Sequence, residues 1–436
     1  MNWQETYRDK LISFDDAAKI IESGDRIWMA AGNSAPADLM SAINRRYLEL
    51  ENVTVSSGLA MYPFEHFKPE YKGHIHHHTI IVGPVERKFM PFGNIDVTSF
   101  QFSHDLWFTP KSINPSVVIA EVSEPDERGY MCLSLLAGMN CENALSTADR
   151  VIVQVNKKTP YIYGMDNLIH VSQCTAICEK DHVVPELPNI PITDLEKQIA
   201  AYIVDRVPDG ATIQLGFGGI ANAVGFFLEN KKDLGIHTEC IVDSIVQLAK
   251  KGVVNGSKKN FHKGKIVTGF VIGTKETYDF VHKNQMIFAA PTKYVTDVQN
   301  IAKNDNMISI NGALCVDLTG QVGAESLGFD MFSGTGGQVD FVCGSQRSEG
   351  GASYIAFKSF AKLKDGTRVS TISAGLPLGT AVTTLRTDVQ NIVTEYGVAE
   401  IGERPFSERA KKLIAIAHPD FREKLTFDAK KVGIIY

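Results

Sequence analysis

The sequence predicts an α/β fold made of two similar open α/β domains, and three observations carry that prediction. The first is the stretch 209–245. Asp209-Gly210 turns into an apolar run, Ala211 to Leu215, which ends in a glycine cluster, Gly216-Phe217-Gly218-Gly219. A proline-free apolar stretch at helical spacing, Ile220 to Leu228, follows, and after Gly235 comes a second short strand, Ile236 to Cys240. Strand, glycine turn, helix and strand in that order make a phosphate-binding βαβ unit. The second observation is a repeat: SGDRIWMAAGNSAPADLMSAI at 23–43 lines up with PDGATIQLGFGGIANAVGFFL at 208–228. Each runs from a turn through a glycine and an apolar strand to a small-residue loop and a helix. Further on, 115–135 resembles 304–327 in the same way, a strand followed by a polar turn around Gly129 or Gly320. The third is the break between the halves. Pro185, Pro188 and Pro191 fall within a segment without periodicity, which reads as an extended linker.

The elements follow in order. Ser13 is the expected N-cap of a first helix, DDAAKIIES. Arg26 to Gly32 reads as a strand and its exit, and the next helix is entered through Pro36. Strands are expected at 52–58, 74–82 and 116–122. Thr193-Asp-Leu-Glu196 is a capping box that opens the helix DLEKQIAAYIVDRV. The chain therefore divides into an N-terminal α/β domain at 1–184, a linker at 185–192 and a C-terminal α/β domain at 193–436, which carries Glu239. Near the end, Asn391 to Glu395 reads as a buried strand, and Ser407 as the cap of ERAKKLIAIA, a helix stopped by His418-Pro419.

Composition narrows the function classes. Of 436 residues, 44% are hydrophobic and 22% charged, as in an ordinary globular protein. The net charge of −6 and the lack of a basic patch argue against nucleic-acid binding. No apolar run of about 18 residues predicts a membrane span, and the N-terminus lacks the apolar core of a signal peptide. The seven scattered cysteines read as reduced thiols of a cytoplasmic protein.

The glycine turn points backbone N–H groups outward at a helix N-terminus, and without Cβ atoms it lets an anion approach closely. Glu239 sits at the carboxyl end of the next strand, where an open parallel sheet keeps its ligand crevice. Two readings compete. Gly216-x-Gly218-x-x-Ala221 with Glu239 about 20 residues on fits a dinucleotide fingerprint, the acid holding a ribose. Alternatively, Glu239 is the reactive group and the turn holds what it attacks. Between Gly312 and Gly351 there are ten glycines. That density suits a backbone passing close to a ligand, and a dehydrogenase gains nothing from a second glycine cradle so far from the first.

GFGGIANAV, the HTE at 237–239, VDLTGQVGAES, FSGTGGQVDF, LRTDVQNIVTEYGVA and ERAKKLIAIAHPDFRE resemble the acetyl-CoA hydrolase/transferase family, within it the 4-hydroxybutyrate and butyryl-CoA:acetate CoA-transferases. The resemblance runs nearly end to end, and PDERGYMCLSL and VIVQVN carry it in the first half. It implies a family I CoA-transferase-like fold with the active site in the cleft between the two domains. It also implies a homodimer, and a glutamyl nucleophile at Glu239. Coenzyme A, a substrate rather than a resident cofactor, would be contacted by Gly216, Phe217, Gly218, Gly219, Ile220, Asn311, Gly334 and Lys358. The acyl-CoA partner would exchange with short-chain carboxylates such as acetate, butyrate or 4-hydroxybutyrate, or with water if the chain is a hydrolase. Gly336, Gly337, Gly350 and Gly351 are further candidates for an oxyanion or CoA loop. Two positions depart from the family pattern: Ala221, where relatives usually have proline, and Cys343, where they often have arginine.

Other constellations are weaker. His74 to His78 looks like a metal tract but alternates like a strand and lacks paired ligands, so no metal is expected. Cys174-x-x-x-Cys178 has the wrong spacing for a redox pair. Cys240, next to Glu239 on a strand, is expected to face the other way.

Overall fold

The structure, a computed structural model, describes residues 2–105, 108–136, 141–187, 191–216 and 218–436. Two compact units account for the chain: Met1–Pro188 with Val267–Val295, and Asn189–Ile266 with Thr296–Tyr436. Val267–Val295, although it follows the linker in the chain, packs with the first unit. The physical reason is visible in Asn33, a buried side chain of the first unit. Its amide nitrogen donates to Val271 O at 3.2 Å and approaches Tyr278 Oη at 3.0 Å, and both partners lie in that returning segment.

The first unit is built on a parallel sheet. Its strands are β1 (Arg26–Met29), β2 (Val53–Ser57), β3 (Ile75–Thr79), β4 (Ile95–Val97), β5 (Val117–Val122), β6 (Arg150–Val155) and β7 (Ala176–Glu179), in the order β4-β3-β2-β1-β5-β6-β7. Such strands are apolar runs because both faces are covered. Val117, Val118, Ile119 and Ala120 are all buried. Ser13 caps the helix Phe14–Ala18 as expected, accepting from Asp16 N at 3.1 Å, and Pro36 precedes Ala37–Arg45. The histidine tract lies on β3 and alternates with the pleat. His77 points into the core against His66, with 3.2 Å between ring nitrogens, while His76 and His78 take the other face beside Asp96 and Thr98.

Six strands of the second unit's main sheet are β8 (Thr212–Leu215), β9 (Gly235–Ile241), β10 (Met307–Gly312), β11 (Ala352–Ala356), β12 (Asn391–Thr394) and β13 (Gly397–Glu400), which follow one another in the order β9-β8-β10-β11-β12-β13. All pair in parallel except β12 with β13. The internal repeat is a repeat of topology. β1 is flanked by β2 and β5, and β8 by β9 and β10, so each leading strand sits where the strand order reverses. That is the place where open α/β sheets bind ligands, at the carboxyl ends of the strands.

One local expectation needs correction. Ser407 does not cap its helix: Phe406–Ala415 begins after Pro405, and Ser407 lies in the first turn. Within the glycine-rich stretch the helix Gln338–Arg347 starts after Gly337. Glycine density reported the close approaches on both sides of that helix but could not show the helix between them.

Candidate active site

The glycine turn folds as its sequence requires. β8 ends at Leu215, and Gly216 N donates to Ile310 O at 2.8 Å. Gly218, at φ +115°, caps the helix Gly219–Phe227. Only glycine adopts that backbone comfortably. Phe217 lies outside the described residues. The first turn borders a cavity of about 600 Å³, lined by Gly218, Gly219, Ile220 and Ala221 together with Asn311, Gly312 and Lys358. Five predicted contacts, Gly218, Gly219, Ile220, Asn311 and Lys358, are thus brought to one place. Gly216 packs behind them: a Cβ there would stand 3.3 Å from Asn311 Oδ1.

Asn311 is fixed by a reciprocal amide pair with buried Gln214. Each amide nitrogen donates to the other's oxygen at 3.1 Å. One N–H and one lone pair of Asn311 stay available for a ligand. Lys358 is ion-paired with Glu196 at 3.1 Å. Glu196 also closes the capping box, taking Thr193 N and Oγ1 on Oε2 at 2.8 Å each. Burial works against ionising Glu196, but the Thr193 donors and Lys358 outweigh it and hold its carboxyl below the usual range. The sequence revealed the helix cap but not this second duty, because nothing in the spacing of 196 and 358 brings them together. The cavity also takes in Phe360, Lys362 and Thr371, which no sequence pattern marked.

Glu239 stands on β9, one strand across from the turn. Ile213 lies opposite Ile236, so the parallel register sets Glu239 level with Gly216. Its Oε1 accepts the N–H of Gly337 at 2.9 Å. A Cβ on Gly337 would come within 2.7 Å of the Glu239 carboxyl carbon, so the helix N-terminus can lie this close only with glycine there. Burial raises the Glu239 carboxyl to about 8; the Asp340 carboxylate in the helix's first turn adds to the rise, and the Gly337 N–H works against it. The neighbouring Cys240 is buried, and strand alternation turns it to the opposite face. Gly334 and Gly336 lie in the loop before Gly337, which Glu325 holds by accepting Phe332 N at 2.7 Å and Thr335 Oγ1 at 2.6 Å.

Gly350 and Gly351 do not join the site. They form the turn before β11, and Gly350 packs on Asn306 just before β10, at the amino ends of strands whose carboxyl ends carry the cavity. Tight-turn geometry explains them: a Cβ on Gly351 would stand 2.1 Å from Ser345 O. Asp317 and Glu395 serve turns. Asp317 Oδ1 gathers Thr319 N, Thr319 Oγ1 and Gln321 N within 3.0 Å, and Glu395 grips Ser359. Among the described residues, no group of three or more His, Cys, Asp or Glu is placed to hold a metal.

The N-terminal domain of the acetyl-CoA hydrolase/transferases matches residues 1–188, and the C-terminal domain matches 273–429. A 4-hydroxybutyrate coenzyme A transferase of Clostridium kluyveri is 41% identical over 99% of this chain and all of the relative. The chain belongs to the acetyl-CoA hydrolase/transferase family. A butyryl-CoA:acetate CoA-transferase of Anaerostipes caccae is 38% identical over 100% of this chain and 99% of the relative. The crystal structure of a 4-hydroxybutyrate CoA-transferase from Porphyromonas gingivalis superposes with a TM-score of 0.83 at 36% identity, covering 99% of this chain and all of that one. Membership of the family removes the dinucleotide reading.

Proposed function

We propose that the chain is a CoA-transferase that moves coenzyme A between a short-chain acyl-CoA and a carboxylate through a thioester on Glu239. Acetate with butyrate or 4-hydroxybutyrate is the exchange the similar proteins suggest. The observation that carries the reading is the pairing of a part-buried glutamate with a helix N-terminal N–H, on a strand adjacent to a glycine-turn cavity. In the first step a Glu239 carboxylate oxygen attacks the thioester carbonyl. The C–S bond breaks, leaving an acyl-glutamyl anhydride and CoA thiolate. The thiolate then attacks the glutamyl carbonyl and expels the acyl group as its carboxylate. A second carboxylate runs the sequence in reverse and leaves as the new acyl-CoA, which is covalent, ping-pong catalysis.

The Gly337 N–H, aimed at a glutamyl oxygen, is the donor for the negative charge that develops on that oxygen. One such donor contributes about 3–4 kcal/mol in comparable sites. The remaining polar atoms of Asn311, the N–H groups of Gly219 and Ile220, and Lys358 receive the coenzyme. Gly216 packs against Asn311 from behind, and Gly334 and Gly336 lie in the loop that leads into Gly337. That the acceptor is a carboxylate rather than water is supported by the three similar proteins described above, all named CoA-transferases. The same reading takes the enzyme as a cytoplasmic homodimer, to be checked by light scattering.

The test is intact-protein mass spectrometry after mixing with acetyl-CoA or butyryl-CoA, followed by peptide mapping. A CoA-sized adduct on Glu239 that acetate discharges is the expected result. An adduct that decays equally fast without a carboxylate would indicate a hydrolase. No adduct with any acyl-CoA would reject the mechanism.

A further inference from the structure

Beyond the cavity lies a short antiparallel hairpin, Phe360–Lys362 paired with Arg368–Ser370. Its register sets Lys362 directly opposite Arg368, so the two cations share one face. Like charges in that relation destabilise a hairpin, and neither residue makes an ion pair with a carboxylate among the described residues. Arg368 is held in place: its guanidinium lies over the Phe360 ring, 4.8 Å from the centroid. Phe360 in turn meets the His418 ring edge-on at 5.3 Å. The root of the hairpin is anchored as well. Ser359 donates its N–H and hydroxyl to Glu395 at 3.0 and 2.6 Å, and the Thr371 hydroxyl donates to Lys358 O at 2.8 Å. Phe360 and Lys362 border the same cavity as the glycine turn, and Arg368 lies across the hairpin from Lys362.

A pair of cations, one of them held over an aromatic ring, beside a cavity fits a dianionic phosphate next to a purine. We propose that this hairpin recognises the nucleotide end of coenzyme A, with the 3′-phosphate between Lys362 and Arg368. The assignment rests on the CoA-transferase reading above, and it accounts for a like-charge pair that the fold alone does not need. It makes the enzyme selective for CoA over 3′-dephospho-CoA, and that selectivity resides in KM.

The test compares kcat/KM for acetyl-CoA and acetyl-3′-dephospho-CoA. The wild type should prefer acetyl-CoA by about 10- to 100-fold, the worth of hydrogen bonds to a charged group. In the Lys362→Ala/Arg368→Ala variant the preference should fall below about threefold, through KM with kcat retained. Lys364→Ala, at the hairpin tip, should keep the wild-type preference. A wild type without preference, or a double variant that keeps it, overturns the proposal while the CoA-transferase reading stands. Titration calorimetry with adenosine 3′,5′-bisphosphate reads the hairpin without turnover. Binding weakened about tenfold or more in the double variant supports the proposal even if Glu239 forms no adduct, and equal binding in both proteins overturns it.

Discussion

In the proposed mechanism Glu239 carries the chemistry. A carboxyl raised to about 8 is mostly protonated at neutral pH, and only its ionised form is a nucleophile. The kcat/KM for acyl-CoA should therefore climb close to tenfold per pH unit below 8 and level off above it; a profile flat from pH 6 to 9 would contradict this. The same shift bears on stability. The folded carboxyl titrates above its usual 4.5, so the stability it contributes is complete below that value and is lost as pH rises through about 8. Glu239→Gln should consequently raise Tm at pH 8.5 by about 2–4 °C while changing it little at pH 4.5. Either Glu239→Ala or Glu239→Gln should lower kcat by about 10⁴-fold or more, as loss of a nucleophile does. Stopped assays of acyl transfer alongside melting curves separate the two effects.

Among the elements, the helix Gln338–Arg347 does the most to shape the site, since its first turn approaches Glu239 as closely as a backbone can. Gly337→Ala forces a Cβ to 2.7 Å from the Glu239 carboxyl carbon and 2.9 Å from Thr296 Cγ2. One or the other must move, displacing the donor N–H, and kcat should fall about 10²- to 10³-fold. Retention of kcat in a folded Gly337→Ala protein would remove that N–H from the mechanism. In the first unit, β3 carries a stability device of its own. His66 and His77 are fully buried, and His77 Nε2 has no hydrogen-bond partner among the described residues. Burial first, then neighbouring histidines, lowers both, His66 to about 3. Their folded values lie below the ordinary 6.5, so their stability is present above that pH and is lost as pH falls. His77→Phe, which keeps a ring against Phe67, should make Tm less steeply dependent on pH between 6.5 and 4; an unchanged slope would put the acid sensitivity elsewhere.

At the scale of the whole molecule, the chain passes between its two compact units more than once, because Val267–Val295 returns to the first. A cut at the proline-rich linker does not yield two complete domains. The fragment 1–188 loses Val271 and Tyr278, the partners of buried Asn33, and leaves that amide unsatisfied. Such a group costs about 1–3 kcal/mol in addition to the apolar surface uncovered. Expressed alone, 1–188 should be insoluble or lack a cooperative melting transition. A fusion of 1–188 to 267–295 through a flexible linker should recover one, and a soluble, cooperatively melting 1–188 would disprove the dependence.

The sequence by itself determined the class of fold, the internal repeat, the βαβ unit around the glycine turn, the Thr193–Glu196 cap and the family. These features are local: turn chemistry, hydrophobic periodicity and contiguous motifs fix them within about thirty residues. Only the tertiary structure decided which distant residues meet. It took Gly350 and Gly351 away from the site and into a tight turn, and it broke the glycine-rich stretch with a helix. It also joined Glu196 to Lys358, set Lys362 against Arg368 across the hairpin, and returned Val267–Val295 to the first unit. Each depends on strand order, register or the path of a connection, which bring together residues far apart in the chain and leave no periodic signal for a sequence to display.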